Sequence, residues 1–257
     1  MLFAICCVSA SPMRAAASHK SEMVSQLLFG EYCRVTQSGD EQWLRIACRQ
    51  DGYEGWCQRS HLLAISEDQY LGPGNILTME RSGLLETSEG PMMLPMGSLL
   101  AGPALDLKDW PGTPSRFGGR IWDSLQAEMT PQHLREVAFQ FLNTPYLWGG
   151  RSVFGTDCSG FTQTVFRFFN ISLLRDAWQQ VSQGFEPDSS GKVCCGDLAF
   201  FDNESGRITH VGIMLGEDEI IHASGKVRID PMDPEGIIHS ESGQRTHRLR
   251  SIRRFFP

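Results

Sequence analysis

The chain has 257 residues, more than the roughly 100 to 150 that one core usually organises, so two or three domains are expected. Its 41% apolar and 21% charged fractions exclude wholesale disorder and a fibrous repeat. A formal net charge of −7 without clustered Lys and Arg argues against nucleic acid and anionic membrane surfaces as partners.

From Phe3 to about Ile65 the pattern is short and β-like, in the runs AICCVSA, MVSQLLFGEYCRVTQ, EQWLRIACRQ and GYEGWCQ. Ser11-Pro12, Ser38-Gly39-Asp40 and Asp51-Gly52 break these runs, and Ser-Gly or Asp-Gly between β-branched and aromatic residues is a strong hairpin signal. A small antiparallel barrel is predicted over residues 1–66. The opening run MLFAICCVSASP resembles a secretory signal, but no Lys or Arg precedes it and about ten apolar residues are few for that role. Export is therefore the alternative, and a cytoplasmic chain the expectation.

A second β segment, residues 67–122, breaks at Gly72-Pro73-Gly74, Ser82-Gly83 and Glu89-Gly90-Pro91. NILTME, GLLETS and MMLPMGSLLAG predict another small barrel, followed by the linker-like DWPGTPSRFGGR. At Thr130-Pro131 the character changes, because a Thr cap with Pro at the first helical position opens a helix. Leu134, Val137, Ala138 and Phe141 give that helix one apolar face. A second helix starts near Cys158, with Phe161, Val165, Phe168 and Phe169 at helical spacing. The strands GDLAFF, THVGIMLG and EIIHASG follow, so residues 123–257 read as an α+β domain with helices first and an antiparallel sheet after.

The eight cysteines include the adjacent pairs Cys6-Cys7 and Cys194-Cys195, with no C-x-x-C spacing to hold zinc or run thiol exchange. Most look like small hydrophobes inside strands, reduced in a cytosol. Cys158 differs in standing at a helix start, where free N–H groups and the dipole favour a thiolate and lower its pKa to roughly 3.5–7.5. A nucleophile there needs a base and an orienting partner. A three-residue loop at Gly216-Glu217-Asp218 would set Gly212 opposite His222 and leave His210 diagonal to His222 on the same face. A two-residue loop would separate them. His19, His61, His133, His239 and His247 fit no such pattern and are expected at the surface.

YLWGGRSVFGTDCSG, GDLAFF, THVGIMLG and EIIHAS, in that order, resemble the NlpC/p60 family of papain-like cysteine peptidases. The resemblance covers about residues 125–257. It implies Cys158 as nucleophile, His210 as base and His222 as its orienting partner. SEMVSQLLFGE and DGYEGW are similar to the bacterial SH3-type domains preceding the peptidase in the subgroup that cleaves γ-D-glutamyl bonds of murein peptides. For that subgroup the resemblance implies two SH3-like barrels, with Glu31 and Tyr53 facing the site and Tyr146, Trp148, Asp157, Ser159 and Thr209 lining it. Asp176 matches a substrate-side position, next to Ala177 where Ser is frequent. Asp157 and Glu31 would meet the ammonium of an N-terminal L-Ala, and Arg151 or Arg175 the free carboxylate of the D-Glu. The implied reaction hydrolyses the bond from γ-D-Glu to a diamino acid in murein-derived tri- or tetrapeptides, with no metal or organic cofactor. Another peptidoglycan amidase, a thiol acyltransferase, and an inactive wall-binding adaptor are the alternatives.

Overall fold

A computed structural model of the chain describes residues 2–72, 74–100, 114–187 and 192–256. Residues 101–113, which hold the start of the expected linker, lie outside them. The described chain is mostly sheet, and it divides into two compact units, Met1–Ala127 with Trp148–Phe154, and Glu128–Leu147 with Gly155–Pro257.

In the first unit, β1 (Phe3–Cys6), β2 (Ala10–Arg14), β3 (Met23–Leu28), β4 (Tyr32–Ser38), β5 (Trp43–Cys48), β6 (Glu54–Gln58) and β7 (Leu62–Ile65) form one antiparallel sheet. Its order is β3-β2-β6-β5-β4-β1-β7. The AICC run is therefore an interior strand, paired with β4 on one side and β7 on the other. The predicted turns work through their side chains: Asp40 Oδ1 accepts from the N–H of Gln42 and Trp43, and Asp51 Oδ1 from that of Tyr53. Such Asx turns set the β4–β5 and β5–β6 registers. Cys6, Cys33, Cys48 and Cys57 share one apolar cluster with Ala4, Met13, Leu27, Leu44, Ile46 and Leu62. All eight cysteines are free thiols.

A short helix, α1 (Glu67–Leu71), follows, opened by a reciprocal cap between Ser66 and Gln69. The next strands are β8 (Ile76–Thr78), β9 (Ser82–Thr87), β10 (Met92–Pro95), β11 (Pro114–Gly118) and β12 (Ile121–Asp123). They make a three-stranded sheet, β10-β9-β11, and a two-stranded one, β12-β8. The same unit holds the two-residue strand β13 (Arg151–Ser152).

The second unit opens with α2 (Pro131–Phe139), whose cap Thr130 accepts from the N–H of His133 and whose Leu134, Val137 and Ala138 are buried. After the two-residue β14 (Gly155–Thr156) come α3 (Cys158–Arg167) and α4 (Ala177–Gln180). β15 (Leu198–Asp202), β16 (Ile208–Met214), β17 (Glu219–Ser224), β18 (Lys226–Asp233), β19 (Gly236–Ile238) and β20 (Arg245–Arg253) close into an antiparallel barrel. Three of these strands were predicted. Closure comes from β20, which pairs with both β19 and β15. Ala199, Phe201, Met214, Ile220, Met232 and Ile237 fill the barrel, and α3 and α4 both pack against β16.

The β18–β19 turn depends on Gly236, which sits at φ +141°, a conformation that side-chain-bearing residues rarely adopt. A Cβ there would overlap the backbone oxygen of His247 on β20. Gly236→Ala is expected to lower unfolding free energy by about 1–3 kcal/mol, read as a fall in the urea midpoint with the slope unchanged. A midpoint equal to that of the unaltered protein would show that the turn relaxes freely.

Candidate active site

Asp157, Cys158 and Ser159 stand at the start of α3, where the first N–H groups lack helical partners. Asp157 caps the helix, its Oδ1 accepting from Gly160 N–H at 2.7 Å. Its carboxylate is also gripped by Arg175, whose two terminal nitrogens lie 3.0 Å from Oδ1 and 2.6 Å from Oδ2. Arg175 donates a third bond, at 3.0 Å, to Ser159 Oγ. The guanidinium side chain is only 1% exposed, and a buried charge of that kind is tolerable only when paired and hydrogen-bonded. Arg175 therefore holds the helix start rather than a free anion.

Cys158 is the first residue of α3 and is buried. Its Sγ lies 4.0 Å from the carbonyl oxygen of Thr209, the residue before His210. Burial, followed by the Asp157 charge, pushes the thiol up to about 12, against backbone hydrogen bonds with Val211 and Ser159 and the charge of Arg175. This reverses the expectation of a lowered pKa. The helix end does favour a thiolate, but dehydration outweighs it.

The β16–β17 hairpin has the three-residue loop. Gly212 pairs with His222, Ile213 with Ile221 and Met214 with Ile220, and Leu215 N–H donates to Glu219 at 2.8 Å. His210 consequently reaches His222 across the diagonal, Nε2 to Nδ1, at 2.8 Å. His222 Nε2 lies 3.0 Å from Asp230 Oδ2, whose other oxygen accepts from Ser240 N–H at 3.0 Å. Arg228 Nε is 2.9 Å from the same carboxylate.

Asp230 fixes the proton positions along this chain. Hydrogen bonds from His222, Ser240 and Arg228 outweigh the desolvation that would raise its pKa, and hold the carboxyl well below the usual range. An ionised Asp230 only accepts, so His222 carries its proton on Nε2 and presents a bare Nδ1. His210 must then donate from Nε2, which leaves its own Nδ1 as the lone pair able to take a proton. Burial, then the neighbouring His222 and His247, pushes His210 well below its ordinary pKa. His222 is lowered too, by burial first, against the hydrogen bond and charge of Asp230. Burial thus favours the neutral thiol at Cys158 and the neutral imidazole at His210.

Tyr146, in the same unit, is 36% exposed. Burial first, then Cys158 and Asp157, raise its phenol, so the hydroxyl remains a donor. Asp176 is half-buried ahead of α4, its N–H bonded to Gln179 Oε1 at 3.0 Å, while Thr209 is exposed on β16. Four residues predicted at the site, Trp148, Tyr53, Glu31 and Arg151, belong to the other unit. Trp148 is 62% exposed and donates to Glu22 at 2.6 Å. Tyr53 is half-buried against the apolar cluster of the seven-stranded sheet. Glu31 is buried, accepts from Leu28 N–H, and meets both terminal nitrogens of Arg151 at 2.9 and 3.1 Å. Both carboxylates and both guanidinium groups expected to meet substrate are thus engaged with one another.

Two residues of this network went unnoticed in the sequence. Asp230 was readable, because a tight turn at Gly225 puts Arg228 opposite His222 and Asp230 opposite Ile220, the same diagonal that joins the histidines. His247 was expected at the surface, but it is half-buried, its ring stacked on that of His210 at 4.2 Å. Of the other four histidines expected there, only His19 is exposed; His61, His133 and His239 are half-buried. No group of His, Cys, Asp and Glu among the described residues is arranged to hold a metal ion.

With the thiol protonated at rest, iodoacetamide labelling of Cys158, followed by peptide mass, is expected to climb about tenfold per pH unit between pH 7 and 9. A plateau already reached below pH 7 would mean a resting thiolate–imidazolium pair instead.

A profile of the NlpC/P60 family matches residues 143–245, and one of the bacterial dipeptidyl-peptidase SH3 domain matches residues 13–62. A gamma-D-glutamyl-L-lysine dipeptidyl-peptidase of Bacillus subtilis is 30% identical over 217 residues, 77% of this chain and 71% of the relative. One of Bacillus cereus with the same name is 37% identical over 112 residues, 42% of this chain and 33% of that protein, so the match spans a third of its length. In fold, the chain is similar to the crystal structure of an NlpC/P60 family protein from Bacillus cereus, with a TM-score of 0.81 at 20% identity, covering 99% of this chain and 100% of the other. The chain belongs to the NlpC/P60 peptidase family and carries a bacterial SH3-type domain ahead of its peptidase domain.

Proposed function

We propose that the protein is a cysteine endopeptidase hydrolysing the bond between γ-D-Glu and a diamino acid in short murein-derived peptides with a free N-terminal L-Ala. The observation that carries this reading is the directional chain from Asp230 through His222 to His210, one residue beyond the carbonyl that Cys158 Sγ touches. In this scheme the Cys158 proton passes to His210 Nδ1 as sulfur attacks the γ-carbonyl carbon. The tetrahedral oxyanion is met by backbone N–H at the start of α3, with Tyr146 as a further donor. Collapse expels the diamino acid, whose amine takes the proton from His210, and leaves a thioester on Cys158. Water, deprotonated by His210, then releases the acyl product. No step draws on a metal or an organic cofactor.

Residues 1–66 and 67–122 would be SH3-like barrels and residues 123–257 the papain-like α+β catalytic domain. The seven-stranded sheet and the five short strands after it support this division. A cytoplasmic site of action is in keeping with eight free thiols. The names of the Bacillus relatives support the γ-D-glutamyl bond. One observation favours a second reading, a peptidoglycan amidase or acyltransferase without amine selection: Asp157 and Glu31 already face Arg175 and Arg151. Under the first reading, amine recognition in the second unit falls to the oxygen lone pairs that Arg175 leaves on Asp157, since a carboxylate has about four acceptor positions.

Incubation with L-Ala-γ-D-Glu-diaminopimelate, products identified by mass, tests the reaction. Cys158→Ala is expected to lower turnover by at least about 10³-fold with the fold retained, and unchanged turnover would end the assignment. Acetylating the substrate amine is expected to lower kcat/KM about 10- to 100-fold, the size of a lost charge-assisted hydrogen bond. Equal rates for the two peptides would remove amine recognition and favour the second reading.

A further inference from the structure

We propose that His247 is a positioning residue for the base: its ring lies over the imidazole of His210, holds that imidazole in the orientation that donates to His222, and shares the charge gained when His210 takes the Cys158 proton. The inference rests on the reading of His210 as the base.

The geometry comes from barrel closure. His247 lies on β20, the strand that joins β19 to β15, and its ring centre is 4.2 Å from that of His210 with 27° between planes. His222 meets His210 edge-on, at 5.1 Å and 82°. Phe201 of β15 lies 5.7 Å from His210 and 5.8 Å from His247. His210 is therefore held on its face by one ring and on its edge by another. A turn of its imidazole about χ2 would lose the stack and the hydrogen bond together. A cation forming over an aromatic face in a dehydrated site is stabilised by the ring's quadrupole, and a neutral His247 offers such a face.

The stack can do this only while His247 is neutral. Burial, with His222 next and Asp230 opposing, lowers its pKa to about 4. The titratable groups bearing on it are His210 of β16, His222 of β17 and Asp230 of β18, the last paired with Arg228. On its own strand Thr246 Oγ1 lies 2.9 Å from its Nδ1. β15 contributes the apolar Phe201, and β19 sets Ile237 opposite. In acid, a protonated His247 would place a positive charge against the base, and its repulsion is one of the causes that lower His210.

His247→Ala removes the face and the titrating nitrogen, and His247→Phe removes only the nitrogen. With L-Ala-γ-D-Glu-diaminopimelate as substrate, the Ala variant is expected to lose about tenfold in kcat with KM within about twofold, and the Phe variant to stay within about threefold of the unaltered enzyme. In His247→Phe the acid limb of kcat/KM moves to higher pH, because His210 keeps the ring over its face and loses a neighbour that repels its proton. A loss of packing alone would not move that limb. Unaltered kcat in His247→Ala, or an unmoved limb in His247→Phe, would overturn the proposal. If His247→Ala fails to fold by circular dichroism, the acid limb of His247→Phe decides by itself. Activity surviving in Cys158→Ala would instead overturn the underlying reading, whereas an inactive Cys158→Ala beside unaltered His247 variants removes this inference alone.

Discussion

The second unit is organised around an ionised carboxylate, Asp230, buried on the barrel strand β18. Its charge is bearable because Ser240 N–H, Arg228 and His222 surround it. That arrangement dictates the proton on His222, which dictates the one on His210. Each link lies on a different strand, so the placement of the proton on His210 depends on the registers of two successive hairpins. A slip of one residue in either would turn one partner to the opposite face. The same burial that makes Asp230 so dependent on its partners pushes the pKa values of both imidazoles down and that of the thiol up, so dehydration favours the uncharged form of all three.

Two buried ion pairs impose a second constraint. Arg175 with Asp157 ties the loop before α4 to the start of α3, and Arg151 with Glu31 ties two distant parts of the first unit. Pairs of this kind add little net stability over apolar packing, but each member depends on the other. Their value here is positional. Arg175 bonds Ser159 as well as both oxygens of Asp157, so the residues on either side of Cys158 are held by one guanidinium.

Much of this was legible in the chain. The Thr130-Pro131 helix start, the helix that begins near Cys158 and the turns at Ser38-Gly39-Asp40 and Asp51-Gly52 follow from short-range rules, and the His210–His222 diagonal follows once the loop between their strands has three residues rather than two. Thr130, Asp157, Asp40 and Asp51 act within three residues of themselves. What could not be read depends on long-range closure. RTHRLRSIR, the sequence of β20, alternates no apolar face and gives no strand signal, yet it seals the barrel and carries His247. Likewise, the pairing of Asp157 with Arg175 crosses 18 positions, and nothing local distinguishes an arginine that holds a helix start from one awaiting an anion. The upward shift of Cys158 departs from the helix-start expectation for a related reason. Helix position is visible in a sequence, whereas the depth of burial that overrides it is a property of the assembled unit.

The first unit is discontinuous in the chain, since Trp148–Phe154 returns to it after an excursion of some twenty residues. Arg151 lies in that returning segment and Glu31 in the opening sheet. Cutting the gene between residues 127 and 128 would put the buried anion in one product and its cation in the other, a rupture that costs about 3–5 kcal/mol for such pairs. A piece carrying the opening sheet into another chain without residues 148–154 would part Glu31 from the guanidinium it meets here, so the boundary of the first unit is drawn by that ion pair as much as by the order of the sequence.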